Sequence, residues 1–219
     1  MSSYTYSKRI LVVRHGRTEW NDAHRFQGKT DVPLNETGLL QAGRTAQRIA
    51  SWPLDAVYTS PLTRAHRTAS AIAAPHGKEP IVLDDLAEVD FGEWESRRIE
   101  DIRKETGDLL RAWYKDPFFH MPRGSETWDA FLSRIERAVR AVLGSPHRNV
   151  AVISHGGVVR ALYVVLLGLD PHTVWNLRMS NCALSGIEVR EHETSLVFSN
   201  DELHLRETGL PENVNLPVW

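Results

Sequence analysis

Cysteine is almost missing. The 219 residues hold one, Cys182, so no internal disulfide forms and no Cys-rich zinc site is available. An excess of one charge is missing too: 26 Lys and Arg against 28 Asp and Glu leave a formal net charge of −2. Without a basic excess, neither nucleic acid nor an anionic membrane surface is expected as a partner. No apolar run reaches bilayer length, because the longest, Val158 to Leu167, is broken by Arg160 and is about half of what a span requires. Lys8 and Arg9 precede only the short apolar segment Ile10 to Val13, so no secretory leader is expected. A lone cysteine fits a reducing compartment, and the cytoplasm is the expected location. There are 10 histidines but no His-Glu-x-x-His or comparable spacing, so neither a metal nor a cofactor is expected.

What is present reads as one folded domain over residues 1–219, since a chain of this length buries a core without staples. Ile10-Leu11-Val12-Val13, Ala56-Val57-Tyr58 and Val150-Ala151-Val152-Ile153 are short β-branched runs of the kind buried on both faces of a parallel sheet, with Ile81-Val82-Leu83 a weaker example. Helical spacing of apolar residues marks 37–51, 61–74, with Ser60 as N-cap and Pro61 at the first helical position, and 125–143, which Gly144 and Pro146 stop. Alternating strands and helices predict an α/β fold, a three-layer α/β/α sandwich with a mostly parallel central sheet. Ala183 to Val189 and Ser195 to Phe198 read as an antiparallel hairpin at the sheet edge, and its apolar character leaves a homodimer through that edge open. Residues 91–124, rich in Trp, Phe and Arg, read as a helical lid inserted in the domain, with Phe118-Phe119-His120-Met121 its candidate closing segment.

Chemistry gathers where strands end. Arg14-His15-Gly16 follows the first strand, Arg64 lies in the helix after the second, and His155-Gly156-Gly157 follows the strand ending at Ser154. Open α/β sheets collect ligand sites at the carboxyl ends of their strands, so segments remote in sequence converge. Two arginines, two histidines and the helix-starting N–H groups of Gly156 and Gly157 make a cationic pocket that suits a phosphate monoester. A histidine among cations stays neutral and nucleophilic, and fixed arginines stabilise the phosphoryl transition state. Glu88 is the candidate proton donor to the leaving alkoxide. Each residue alone has a duller reading: a core histidine, a paired surface arginine, a solvated carboxylate, or, for Asn21, a turn cap. The eight histidines other than His15 and His155, His204 among them, read as surface residues, and Cys182 as a small buried one.

Arg14-His15-Gly16 with Thr18 and Asn21, Ser60-Pro61-Leu62-x-Arg64-Ala65, Glu88 followed by Phe91-Gly92-x-Trp94-Glu95, and Ser154-His155-Gly156-Gly157 together resemble the ordered signatures of the histidine phosphatase superfamily (phosphoglycerate mutase-like). The resemblance implies that His15 becomes a phosphohistidine, that Arg14, Arg64 and His155 hold the phosphoryl group, and that Glu88 acts first as acid and then as base. It also implies that Arg17, Asn21, Gln27, Gly28 and Gly156 border the phosphate and substrate, and that the partner is a small phosphorylated metabolite. Where mutases of the family typically carry Arg-His-Tyr-Gly after the acid, this chain has Val89-Asp90-Phe91-Gly92, which resembles the phosphatase branch. A metal-independent phosphomonoesterase is therefore the expected activity, with a phosphoglycerate mutase-type phosphotransferase as the alternative. Arg97, Arg98, Arg103 and Lys104 stand as candidate partners for a second anionic group. Ser96 departs from the family, in which many relatives have glycine after Trp-Glu.

Overall fold

The computed structural model describes residues 8–206 apart from 118 and 192. In chain order the elements are β1 (Lys8–Arg14), α1 (Glu19–Asp22), α2 (Glu36–Ile49), β2 (Ala56–Thr59), α3 (Thr63–Ala73), β3 (Ile81–Val82), α4 (Ile99–Lys115), α5 (Trp128–Gly144), β4 (Asn149–Ser154), α6 (Gly156–Leu167), α7 (Pro171–Trp175), β5 (Leu184–Val189), β6 (Thr194–Asp201) and α8 (Leu203–Arg206). The strands form one sheet in the order β3-β2-β4-β1-β5-β6. The first four run parallel, whereas β5 is antiparallel to β1 and to β6.

Alternation along β1 explains the layering. Ile10 and Val12 point into a cluster with α5 and α6 that includes Phe131, Ile135, Leu162 and Tyr163. Leu11 and Val13 point to the other face, against Ile49 of α2 and Ala65, Ala69 and Ile72 of α3. A strand whose successive side chains must both be buried has no use for polar alternation, which is why β1 and β4 read as continuous apolar runs. The small residues of α3 allow it close to the sheet.

Some boundaries differ from the sequence reading. Helix α3 begins at Thr63 with Leu62 as N-cap, rather than at Pro61 after Ser60. The Ser60 hydroxyl instead accepts from Leu62 N–H at 3.2 Å and meets a histidine described below. Strand β3 is only Ile81–Val82, and both residues are exposed, because it lies at the edge of the sheet. Helix α5 starts at Trp128, where Thr127 Oγ1 accepts from Ala130 N–H as a cap. His204, expected at the surface, is buried with Nε2 3.0 Å from Thr45 Oγ1.

Residues 91–124 form a separate cluster with Phe26, in which Phe26, Trp94, Ile102, Leu110 and Trp113 pack together, with Phe26 and Trp94 ring centroids 5.1 Å apart. The carboxylate of Glu95 ties this segment to the 27–30 turn: it accepts from Lys29 N–H at 2.8 Å, Thr30 N–H at 2.9 Å and Phe91 N–H at 3.1 Å. Of the candidate closing segment, Phe118 lies outside the described residues, and Phe119 is exposed. No helix among the described residues is long and apolar enough to cross a membrane.

Candidate active site

Strands β2, β4 and β1 lie side by side and parallel, so their carboxyl ends meet on one edge of the sheet. Arg14 pairs with Ser154, and the next N–H, that of His15, donates to Ser154 O at 2.8 Å. Ser60 N–H donates to Ile153 O at 3.2 Å one strand over. This register alone brings His15, Ser60 and His155 together, and the two imidazole centroids are 5.1 Å apart.

The hydrogen bonds set the protonation pattern. His15 Nδ1 lies 2.7 Å from Gly16 O, which can only accept, so Nδ1 carries the proton and the lone pair is on Nε2. Burial and then the guanidinium groups of Arg64 and Arg14 hold the His15 pKa well below that of an ordinary histidine. The ring is therefore neutral and presents a nucleophilic nitrogen. His155 is depressed in the same direction by burial and then by Arg64, His15 and Arg14. Its Nε2 is 2.7 Å from Ser60 Oγ. Ser60 Oγ accepts from Leu62 N–H, and in the tautomer in which its own proton goes to Nε2 the Nδ1–H of His155 is left as a donor.

Buried guanidinium groups frame the pair. Arg64 donates from Nη1 to Thr30 O at 2.9 Å and from Nη2 to Gly28 O at 2.7 Å. Arg14 donates from Nη1 to Met179 O at 2.6 Å. Burial lowers the Arg64 pKa to about 10, which leaves it cationic at neutral pH. Among the described residues, Nε of Arg14, Nε of Arg64 and Nδ1 of His155 are buried without any hydrogen-bond partner. Buried polar atoms are nearly always paired. Three orphaned donors around one neutral imidazole, with the N-terminus of α6 alongside, form a cradle for a tetrahedral oxyanion.

Glu88 is brought to the same place. Its Oε2 accepts from Gly157 N–H at 3.2 Å and its Oε1 from Val89 N–H at 3.0 Å. This corrects one expectation: the Gly157 N–H is taken by Glu88 rather than offered to a ligand. A Cβ on Gly157 would lie 2.5 Å from Glu88 Oε1, so glycine is what allows this approach. Gly156, the first residue of α6, lies beside Arg14, with a virtual Cβ 3.6 Å from the Arg14 Nε.

Other expected residues act at one remove. Arg17 forms an ion pair with Asp22. Asn21 closes a capping box with Thr18, whose N–H donates to Asn21 Oδ1 at 3.1 Å. Gln27 Oε1 accepts from Thr18 Oγ1 at 3.1 Å, and Gly28 contributes its carbonyl to Arg64. Arg97 pairs with Glu105 and Lys104 with Glu100.

Several residues were not singled out from sequence. Asn181 Nδ2 donates to His15 O at 2.8 Å. Arg134, on the inner face of α5, donates from Nη2 to Glu88 O at 2.9 Å and from Nη1 to Asp85 O at 2.8 Å, and also binds Ala87 O. The same guanidinium grips Glu126 through both oxygens, each at 2.8 Å. Arg160 of α6 donates to Gly156 O at 3.1 Å and Leu177 O at 3.0 Å. Both arginines interrupt apolar helical faces, which was the available signal.

The geometry has counterparts in known proteins. Residues 10–202 match the histidine phosphatase superfamily (branch 1). The chain belongs to that family. Phosphoserine phosphatase 1 of Hydrogenobacter thermophilus is 32% identical over 91% of this chain and 95% of its own length. A Photorhabdus laumondii protein named probable phosphoglycerate mutase GpmB is 36% identical over 82% of this chain and 84% of its own. Among solved structures, the alpha-ribazole phosphatase from Shigella flexneri superposes with a TM-score of 0.80 at 28% identity, covering 88% of this chain and 96% of that one. The α/β fold and the histidine phosphatase superfamily are thus those the sequence predicts.

Proposed function

We propose that this chain, acting in the cytoplasm as a single domain, is a metal-independent phosphomonoesterase that hydrolyses a small phosphorylated metabolite through a phosphohistidine on His15. The observation that carries this reading is the set of three orphaned buried donors, on Arg14, Arg64 and His155, around the neutral ring of His15. Nε2 of His15 attacks phosphorus, the N–P bond forms as the P–O bond to the alcohol breaks, and Glu88 gives the leaving alkoxide its proton. Glu88, now ionised, takes a proton from water, which attacks phosphorus and releases phosphate and free His15. Arg14, Arg64 and His155 hold the equatorial oxygens throughout, and cationic donors take the part that a metal ion plays elsewhere.

Acid-quench trapping tests the scheme. Wild-type protein incubated with a labelled phosphate ester is expected to retain acid-labile label, and His15→Ala is expected to retain none; label that persists in His15→Ala overturns it. The GpmB relative supports a second reading, phosphoryl transfer between monophosphoglycerates. That reading requires exchange between the isomers to exceed phosphate release, and an assay showing phosphate release alone rejects it.

A further inference from the structure

Beside the oxyanion cradle lies a small pocket walled by Val89, Phe91, Trp113, Met121, Trp128 and Trp175. Gly157 closes one side, and its N–H is the one bound to Glu88 Oε2 at 3.2 Å. The pocket therefore opens next to the carboxyl group that protonates the ester oxygen, where the alcohol half of a substrate must go.

Among the described residues its wall holds no lysine, arginine or histidine. Its one charged member among the described residues is Glu126, which is gripped by the Arg134 fork and lies 3.9 Å from Lys29 Nζ outside the wall. Arg160 stacks on the Trp175 ring at 4.8 Å and bonds the carbonyls of Gly156 and Leu177, so its charge stands behind the wall and its terminal N–H groups are not offered to the pocket. Arg97 and Lys104 are bound to Glu105 and Glu100. A carboxylate or second phosphate on the alcohol would lose its water here and face Glu126 with no cation in the wall. The indole and phenyl rings are already arranged edge to face, Trp113 against Trp175 at 5.4 Å and against Phe91 at 6.0 Å, a geometry that accepts a further ring.

On the strength of the phosphomonoesterase reading, we infer that the alcohol half of the substrate carries an uncharged, apolar, ring-bearing group seated against Trp113, Trp128 and Trp175. Burial of one such ring is expected to raise kcat/KM on the order of 10- to 100-fold over an ester that lacks it.

The test compares ethyl phosphate, 2-phenylethyl phosphate and O-phosphoserine, all of which release a primary alkoxide. The phenylethyl ester is expected to exceed both others in kcat/KM by tenfold or more. In Trp128→Ala its advantage over ethyl phosphate narrows, and in Met121→Lys the ratio of phosphoserine to phenylethyl phosphate rises. Equal or faster turnover of phosphoserine by the wild type overturns the inference, as does a Trp128→Ala effect equal for all three esters. If no ester is turned over, the phosphatase reading fails, and the pocket is judged by binding instead. Calorimetry with 2-phenylethylphosphonate and ethylphosphonate is then expected to favour the phenyl compound by tenfold, and equal affinities overturn the inference.

Discussion

Arg134 makes the most demanding prediction, because one side chain holds both the backbone of the acid and the segment over the pocket. It is 7% exposed and binds the carbonyls of Asp85, Ala87 and Glu88 together with both oxygens of Glu126. Burial works against ionisation of Glu126, yet the Arg134 hydrogen bonds and charge outweigh it and hold the carboxyl below its usual pKa. Arg134→Met keeps the bulk and removes the fork. Glu126, whose side chain is 12% exposed, is then left with only the long 3.9 Å ion pair to the exposed Lys29. Breaking a buried pair from one side costs about 3–5 kcal/mol, which for a domain of this size lowers the melting temperature by roughly 10 °C. Glu126→Leu in the same chain removes the stranded charge and is expected to recover part of that loss.

A stability loss alone would fit a purely structural role, so the kinetic comparison decides. Alkyl phosphates need a proton on the departing oxygen, while 4-nitrophenyl phosphate releases a stable phenolate and does not. Since kcat/KM reports the steps up to the phosphoenzyme, misplacing Glu88 in Arg134→Met is expected to cost about 100-fold with an alkyl ester and much less with the nitrophenyl ester. Arg134→Lys keeps the charge without the fork and is expected to fall between. Equal losses on both esters refute the positioning role. A melting temperature within 2 °C of wild type, roughly 1 kcal/mol, refutes the energetic one.

Gly157→Ala is expected to push the Glu88 carboxylate aside and show the same leaving-group dependence without a comparable fall in melting temperature; equal activity on both esters would contradict it. Ser60→Ala frees Nε2 of His155 and is expected to raise KM for phosphate esters, as the imidazole loses the contact that fixes its orientation, and an unchanged KM argues against that. Ser96 sits at φ +69, where glycine is unstrained, so Ser96→Gly is expected to raise stability by about 1 kcal/mol, read from urea unfolding; a loss would refute the strain argument. His15 and His155 are held neutral in the fold, whereas in the unfolded chain they bind protons below about pH 6.5. Their contribution is thus complete above that pH and lost as pH falls, with a slope of up to about 1.4 kcal/mol per pH unit for each ring. Urea unfolding at pH 7.5 and 5.5 checks this, and equal stabilities refute it.

The parts legible in sequence were those governed by local pattern. β1 and β4 announce themselves because burial on both faces demands unbroken apolar runs, and His15 and His155 were findable because each follows such a run directly. Arg14, Arg64 and Glu88 needed the ordered family signatures as well, since nothing local separates them from paired surface charges. Asn181 was hidden, and what Glu95 binds within its signature was unread, for a different reason. Each works on backbone groups of a distant segment, Asn181 on His15 O and Glu95 on the N–H groups of Lys29 and Thr30, and only the tertiary fold creates those partners. Arg134 and Arg160 fall between the two. A guanidinium interrupting an apolar helical face is visible in the letters, but what it binds is not.

The way the buried arginines are held explains why the pocket remains electrostatically open. Arg14, Arg64 and Arg160 spend their terminal N–H groups on the carbonyls of Met179, Gly28, Thr30, Gly156 and Leu177, not on carboxylates. A carbonyl fixes direction without cancelling charge, whereas a carboxylate partner would leave a nearly neutral pair with little attraction for phosphate. The cost is seen in the lowered pKa values of Arg64 and Arg160, each about 10, where burial is the first cause. Glu88 is the anion that offsets this field in all three cases. In the proposed reaction the same side chain carries a proton into the ester complex, where the charge of the bound phosphate stands in place of its own, and gives that proton to the leaving group. As it does so its negative charge appears beside the arginines while the transferring phosphoryl group is at its most dispersed, so the cationic cradle favours the proton transfer and the bond cleavage together.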